Sequence, residues 1–371
     1  MGNISVVKIY FHTLAVLATL LLWGICLLNG TVKSLLLAVW NGRFDENVKL
    51  KTTYTGISLI DYPIALLVAF FFYGTNGQYH DYSLFLIDAY STLQSAFVWL
   101  YIEASRPGNK PKWVERPIGF AMLWQCFGGA ISLPLYYSTH ITWTDRSTTS
   151  RVIDADMMRA IPFSFLLGAI VPAIIGMAPT WNGPDLRPRE LHQDILFMWQ
   201  LDPIWTSLIQ TGVTTVIPLL CNRISRAREI DIAHKWASIS YLLAALSSAA
   251  GHLFTVGSVL AGNKPISTLV RMYVPMTSSG PNGGENIFMS GPWLFLQFDL
   301  IIISLSSVSW AFFVLRKELN GKSLSNSSLA LIMTAGSLTI GPGATVSLAL
   351  LAREKMLPVY EKGRGDHKGR A

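Results

Sequence analysis

Nine apolar runs, each close to the roughly 20 residues an α-helix needs to cross a ~30 Å hydrocarbon layer, constrain this chain more than any other feature. They fall at about 7–28, 57–74, 82–105, 117–137, 160–179, 198–221, 236–261, 291–315 and 328–351. A soluble core of 371 residues has no place for so many, and with 14% of residues charged there is little polar surface to cover them. The pattern predicts an all-α fold, a polytopic transmembrane helical bundle of about eight to nine spans. It forms a single integral-membrane domain over residues 1–371. The first run is too long for a removable signal peptide and lacks a small-residue cleavage site, so it reads as a retained anchor.

Charge in the connections sets an orientation. The loops after the first, third, fifth and seventh runs, with the tail, carry most of the 29 Lys and Arg residues. The positive-inside rule then places the C-terminus in the cytosol and the N-terminus, with its sequon at Asn3, on the lumenal side of the endoplasmic reticulum. The segment NRISRAREIDIAHK falls on the other side and opposes that assignment. The formal charge of +7 sits in membrane-flanking loops and a basic cytosolic tail at about 352–371, which implies membrane lipid as a neighbour and no nucleic-acid partner. Cys26, Cys126 and Cys221 are far apart, within or at the ends of spans, and read as packing residues rather than a disulfide framework. The loop 262–292, rich in Gly, Pro and Ser, reads either as a lid over one mouth of the bundle or as a disordered segment, and the sequence alone does not separate the two. No internal repeat or matched pair of interrupted helices marks a transporter's inverted halves.

Ionisable groups at membrane depth are costly and face a bundle interior or cavity, which makes them the best pointers to function. Those in or at the ends of the runs are Asp61, Asp88, Glu103, Asp202, His252 and Asp299. With nine alternating crossings, Asp61, Glu103, Asp202, His252 and Asp299 share the cytosolic half. Asp88 lies roughly 22 Å further along its helix than Glu103, from the ~1.5 Å rise per residue. Asp88, Thr92, Ser95, Trp99 and Glu103 recur at helical spacing and form one polar stripe, which lines either a helix–helix contact or a cavity.

Each group also has a structural reading. Glu103 precedes Arg106 by three residues, the spacing of a local ion pair. Asp202 stands before Pro203 at a helix start and suits an N-cap. Asp61 is near the interface, and His252 alone fits a packed, hydrogen-bonded histidine. Asp299 and Asp88, the deepest, are hardest to explain as anchors. No zinc-spaced Cys/His cluster, nucleophile elbow, phosphate loop or aspartate-rich diphosphate motif is present, and the tripeptide DAD at 154–156 is too short to count as a metal site. No metal and no cofactor is called for. Trp99, Trp124 and Trp205 lie near the carboxylates and can stabilise a cation through their π faces, at about 0.5 to 2 kcal/mol each.

The run FLIDAYSTLQSAFVWLYIEASRPGNKPKWVERPIGFAMLWQCFGGAISLPLYY, residues 85–137, resembles the membrane-bound terpene cyclases of fungal meroterpenoid pathways, the group of the ascochlorin, ascofuranone and macrophorin cyclases. WLYIEASRPGN and SLPLYY carry most of the likeness. The resemblance implies metal-independent cyclisation of a farnesyl chain, often epoxidised at its end, on an aromatic or quinone head. A protein acid protonates the epoxide or terminal alkene. The partner is then a lipophilic prenylated aromatic. Apolar surroundings disfavour a carboxylate, so Asp299 and Asp88 suit the acid role. Glu103 beside Arg106 suits an orienting or proton-accepting one, and Asp61 completes the catalytic candidates. Trp99, Trp124, Gln125, Trp205, Asp202, His252 and Arg106 are the candidate substrate-binding residues. Asp299→Asn and Glu103→Gln are each expected to abolish turnover without loss of protein. The competing readings are a transporter or channel with an acidic intramembrane path, and a receptor or structural membrane protein.

Overall fold

The computed structural model describes residues 4–358 except 46–47, 147–149, 152–153, 181–182, 221–225, 277–285 and 320–323. Cys221, Asn3, the middle of the 262–292 loop and the tail beyond 358 therefore lie outside the described residues. Apart from one isolated bridge between Arg43 and Lys49, these residues form helices and turns. The longer helices are α1 Ile4–Leu28, α2 Thr31–Asn41, α3 Ser58–Thr75, α4 His80–Ala104, α5 Ile118–Phe127, α6 Gly129–Arg146, α7 Ala155–Met177, α8 Arg189–Gln200, α9 Asp202–Leu220, α10 Arg226–Leu260, α11 Pro265–Tyr273, α12 Ile287–Leu319, α13 Asn326–Thr339 and α14 Pro342–Met356. By length and composition, five helices among the described residues can cross a membrane: α1, α3, α7, residues 228–260 of α10, and α12. Large apolar side chains stand on the outside of the bundle, Leu59, Leu246 and Leu331 among them, where hydrocarbon rather than water would suit them.

Helix α4 is the central post. Most of its residues are buried, and its polar stripe is spent on helix contacts rather than on a cavity. Ser91 Oγ and Ser95 Oγ donate to the carbonyl oxygens of Asp88 and Ser91 in their own helix, at 2.8 and 3.0 Å, and also lie 3.4 and 3.3 Å from the carbonyl oxygens of Ser248 and Ala244 on α10. Trp99 Nε1 donates to Ser347 Oγ on α14 at 2.8 Å. Small residues permit the approach: a Cβ built on Gly251 would lie 2.5 Å from that of Ser91, and one on Gly343 would lie 2.9 Å from the Cα of Thr92. Close backbone packing by small residues with interhelical hydrogen bonds is how helices associate where water supplies no driving force.

Two of the predicted spans are hairpins. Residues 117–137 enter as α5, turn at Gly128 and return as α6. Phe120 on α5 packs its ring edge on Tyr136 of α6, with centroids 5.2 Å apart, while the tip reaches Leu93 of α4. The run 328–351 does the same. Helix α13 approaches His252 of α10, the chain turns at Gly341, and α14 runs back past Trp99 to Glu103. The two tips meet α4 near its midpoint, at Leu93 and Thr92. Uniform hydropathy over each pair of half-helices makes a hairpin look like one crossing.

The hairpins change the directions of everything after them. Helix α12 runs parallel to α4, with Trp293 beside Tyr82 and Trp310 beside Trp99, where alternating crossings predict antiparallel helices. Tyr10 on α1 bonds Ser309 at the end of the bundle that also holds Arg353, so both described ends of the chain lie on one side. The expected placement of the termini on opposite sides is corrected accordingly, and so is the grouping of Asp299 with Glu103. Asp299 stands beside the Gly128 turn at the middle of the bundle, while Glu103 is at one end.

Candidate active site

A cavity of about 300 Å³ opens among α1, α2, α3, α4, the α5–α6 tip and α12. Its wall is almost wholly hydrocarbon and aromatic: Trp23, Phe70, Phe71, Tyr90, Trp124 and Phe295 face it, with Leu35, Leu66, Leu93 and Ile303 between them. The rings brace one another. Phe70 and Phe295 meet edge to face at 5.2 Å, Trp23 and Phe295 at 5.7 Å, and Trp124 stands on Phe97 at 4.6 Å. At its rim are the exposed Leu36, Pro63 and Cys126, on the apolar flank of the bundle.

Asp299 is the one carboxyl among the lining residues. Its position follows from the break in the α5–α6 hairpin. Gly128 has φ +103°, a conformation that strains any residue with a Cβ, and a Cβ there would come within 3.0 Å of Asp299 Oδ1 and 2.8 Å of Leu22. The turn leaves the first amides of α6 without intrahelical partners. Asp299 Oδ1 accepts the hydrogen bond from Ala130 N at 2.7 Å, and Oδ2 has no partner among the described residues. The result is a carboxyl tethered by one oxygen and presented by the other to an apolar chamber.

Of the other candidates, Trp124 and Gln125 line the same cavity. Gln125 Nε2 is hydrogen-bonded to Gln200 Oε1, which joins the hairpin tip to the end of α8. Asp202 is just behind the wall. Trp199, three residues earlier, packs on Tyr90 and Phe71 with centroids 4.7 and 5.4 Å away, and the Asp202 carboxylate has a buried Oδ1 without a hydrogen-bond partner. The N-cap role finds no support, since that oxygen bonds no amide.

The remaining candidates are elsewhere. Asp61 accepts from Thr55 N and Oγ1 and Gly56 N, at 2.7, 2.8 and 3.0 Å, and closes the turn before its own helix. Asp88 bonds His252 Nδ1 at 3.0 Å and accepts from the Tyr273 hydroxyl at 2.6 Å, pinning α11 against the bundle. Trp205 donates to Met198 O at 2.9 Å and is outside the cavity lining.

Glu103 is at the centre of a fully buried charge cluster. It accepts from Arg106 Nε, Arg353 NH1 and His140 Nε2, each at 2.8 Å. Arg106 NH2 also reaches Glu354 at 2.7 Å. His140 Nδ1 accepts from Trp310 at 3.1 Å, so its proton is on Nε2 and points at Glu103. The predicted Glu103–Arg106 pair is present, inside a larger lock that ties α14 to α4 and α6.

Other expectations resolve simply. Cys26 is buried in the cavity wall, whereas Cys126 is exposed at its rim rather than packed. In the DAD tripeptide, Asp154 caps α7 by accepting from the amides of Asp156 and Met157, and Asp156 pairs with Arg159 at 3.1 Å. Reading charged residues alone misses Tyr90, Trp23, Phe70, Phe71 and Phe295. The signal available for the site was the FGG break at 127–129 beside Trp124 and Gln125.

A family model described as the CtvD domain matches residues 7–358. Terpene cyclase DEP1 of Fusarium langsethiae is 25% identical over 350 residues, spanning 90% of this chain and 94% of that protein. Terpene cyclase ascI of Acremonium egyptiacum is 25% identical over 328 residues, 84% of this chain and 82% of its own length. The protein named FAD-dependent monooxygenase anuJ, from Penicillium roqueforti, is 24% identical over 91% of this chain, a match that takes up 41% of that longer protein. No solved structure matches the chain.

Proposed function

The chain belongs to the CtvD domain family, and from that premise we propose that it is an integral-membrane terpene cyclase whose initiating acid is Asp299. The substrate is a farnesyl chain carried on an aromatic or quinone head. The observation that carries the reading is one tethered carboxyl in an otherwise apolar, aromatic-lined cavity of about 300 Å³, a volume suited to a folded fifteen-carbon chain. Two relatives named terpene cyclases support the reaction class. The relative named a flavin monooxygenase supports an epoxide as the group protonated, because monooxygenation of a terminal alkene supplies one.

The chemistry balances without a further reagent. Asp299 gives its proton to the epoxide oxygen. The bond from that oxygen to the more substituted carbon breaks, and the electron pair of the nearest alkene forms the ring bond. The positive charge moves to the next carbon, under the π faces of Trp124, Phe71, Tyr90 and Phe295, each contributing about 0.5 to 2 kcal/mol. Loss of a proton from the final cation leaves an alkene and restores the acid, so substrate and product have equal mass. Water would intercept the cation, and the hydrocarbon wall keeps it out. The rim at Leu36, Pro63 and Cys126 gives a lipophilic substrate a route from the bilayer.

The test is an assay of microsomes containing the full chain with epoxidised and unepoxidised farnesyl-phenols, separated by chromatography and read by mass spectrometry. A product of unchanged mass and shifted retention from the epoxide is expected. Uptake of the compound into sealed vesicles with no such product would favour the transporter instead.

A further inference from the structure

A second, smaller cavity of about 220 Å³ lies at the other end of α3, on the side of the bundle away from Glu103. Helix α3 separates it from the first: Phe70 and Phe71 face the apolar chamber, Phe72 and Tyr73 face this one. Its chemistry is opposite. Among the described residues no Asp or Glu lines it, while Arg187, Arg189, Asn76 and Gln78 do.

Arg187 is 6% exposed and is paired with no carboxylate among the described residues. Its NH2 donates to Ile175 O at 2.6 Å, and its NH1 to Gly176 O and His192 Nδ1, both at 3.3 Å. These contacts fix the plane of the guanidinium and leave Nε–H without a partner among the described residues. His192 is neutral beside it. Burial and the adjacent Arg187 push its pKa down to about 4, and with Nδ1 accepting, its Nε2 proton goes to Thr75 Oγ1 at 2.9 Å. Asn76 spends its carbonyl on the amide of Gln78 at 2.9 Å, which leaves its NH2 to donate. The frame is tightly built: a Cβ on Gly77, at φ +77°, would overlap Thr180 O at 2.0 Å.

We propose that this cavity is a phosphate-binding site, in which Arg187 from the wall and Arg189 at the rim hold a tetrahedral oxyanion with the Asn76 amide as a further donor. A buried guanidinium is costly without an anion, and donors converging from several elements suit a phosphate group. The phosphate can belong to a phospholipid headgroup, since α3 is one of the apolar helices, or to a soluble phosphate ester.

The experiment uses the full chain in nanodiscs and follows the thermal unfolding midpoint. One arm adds inorganic phosphate to phosphatidylcholine discs, with chloride at matched ionic strength. The other compares phosphatidic acid discs with phosphatidylcholine discs. The wild type is expected to be stabilised in at least one arm, and which arm identifies the source. Phosphate stabilises many proteins by exclusion, so the deciding variant is Arg189→Glu at the exposed first position of α8. It should fold and require about tenfold more phosphate or lipid for the same shift, as loss of one charged hydrogen bond predicts. No shift in either arm, or equal shifts for wild type and Arg189→Glu, would overturn the proposal.

Discussion

Among the individual residues, two carboxyls that look alike in sequence have opposite uses. Asp299 faces an apolar cavity with one oxygen unpaired among the described residues, whereas Glu103 spends both oxygens on Arg106, Arg353 and His140. The Arg106 partner was legible because it lies three residues away. Arg353 and His140 were not, because the α5–α6 and α13–α14 hairpins bring them in from distant sequence. This changes the outcome expected of Glu103→Gln. Removing one partner of a buried charge cluster leaves the others uncompensated, at a cost of about 3 to 5 kcal/mol. The variant should accumulate poorly and melt early, and protein that does fold should retain turnover. Quantifying folded protein by fluorescence-detected gel filtration beside product yield separates that from a catalytic role: normal accumulation with no product would return Glu103 to the chemistry.

Among the elements, hydropathy located the apolar segments, and length alone could not say which of them turn back. Runs 117–137 and 328–351 are as apolar as true crossings, yet each contains glycine at the turn, Gly128 and Gly341, both with positive φ. Those glycines were the readable sign, and they require pairing information that a single run does not hold. The Gly128 turn also places Asp299, since the free Ala130 amide exists only because α5 ends there. Gly128→Ala forces a Cβ into an extended positive-φ conformation that is essentially reserved for glycine, at about 1 to 3 kcal/mol, and against Asp299 Oδ1. It should lower the rate of product formation by at least about tenfold, by the 1.4 kcal/mol per decade relation, with little loss of accumulated protein. A product rate unchanged from wild type would show that the turn does not set the acid.

At the scale of the whole molecule, the two hairpins, together with an α1 that runs antiparallel to α4, change the side assigned to most of the loops. Arg228, Lys235, Arg316, Lys317, Arg353 and Lys355 then flank the same end as Lys8, Arg106 and Arg146. Residues 226–235 of the segment NRISRAREIDIAHK, which opposed a nine-span topology, lie at this same end, and we propose from the positive-inside rule that it faces the cytosol. Epitope tags at the two termini should both be cleaved by protease added outside sealed microsomes. Protection of either tag would contradict the shared side. Within this frame, the central claim is that one carboxyl in an apolar chamber starts the reaction. The most direct measurement is product formed from an epoxyfarnesyl-phenol by Asp299→Asn microsomes, normalised to folded protein and set beside wild type. The account predicts wild-type amounts of protein and no cyclised product; cyclised product at the wild-type rate would contradict it.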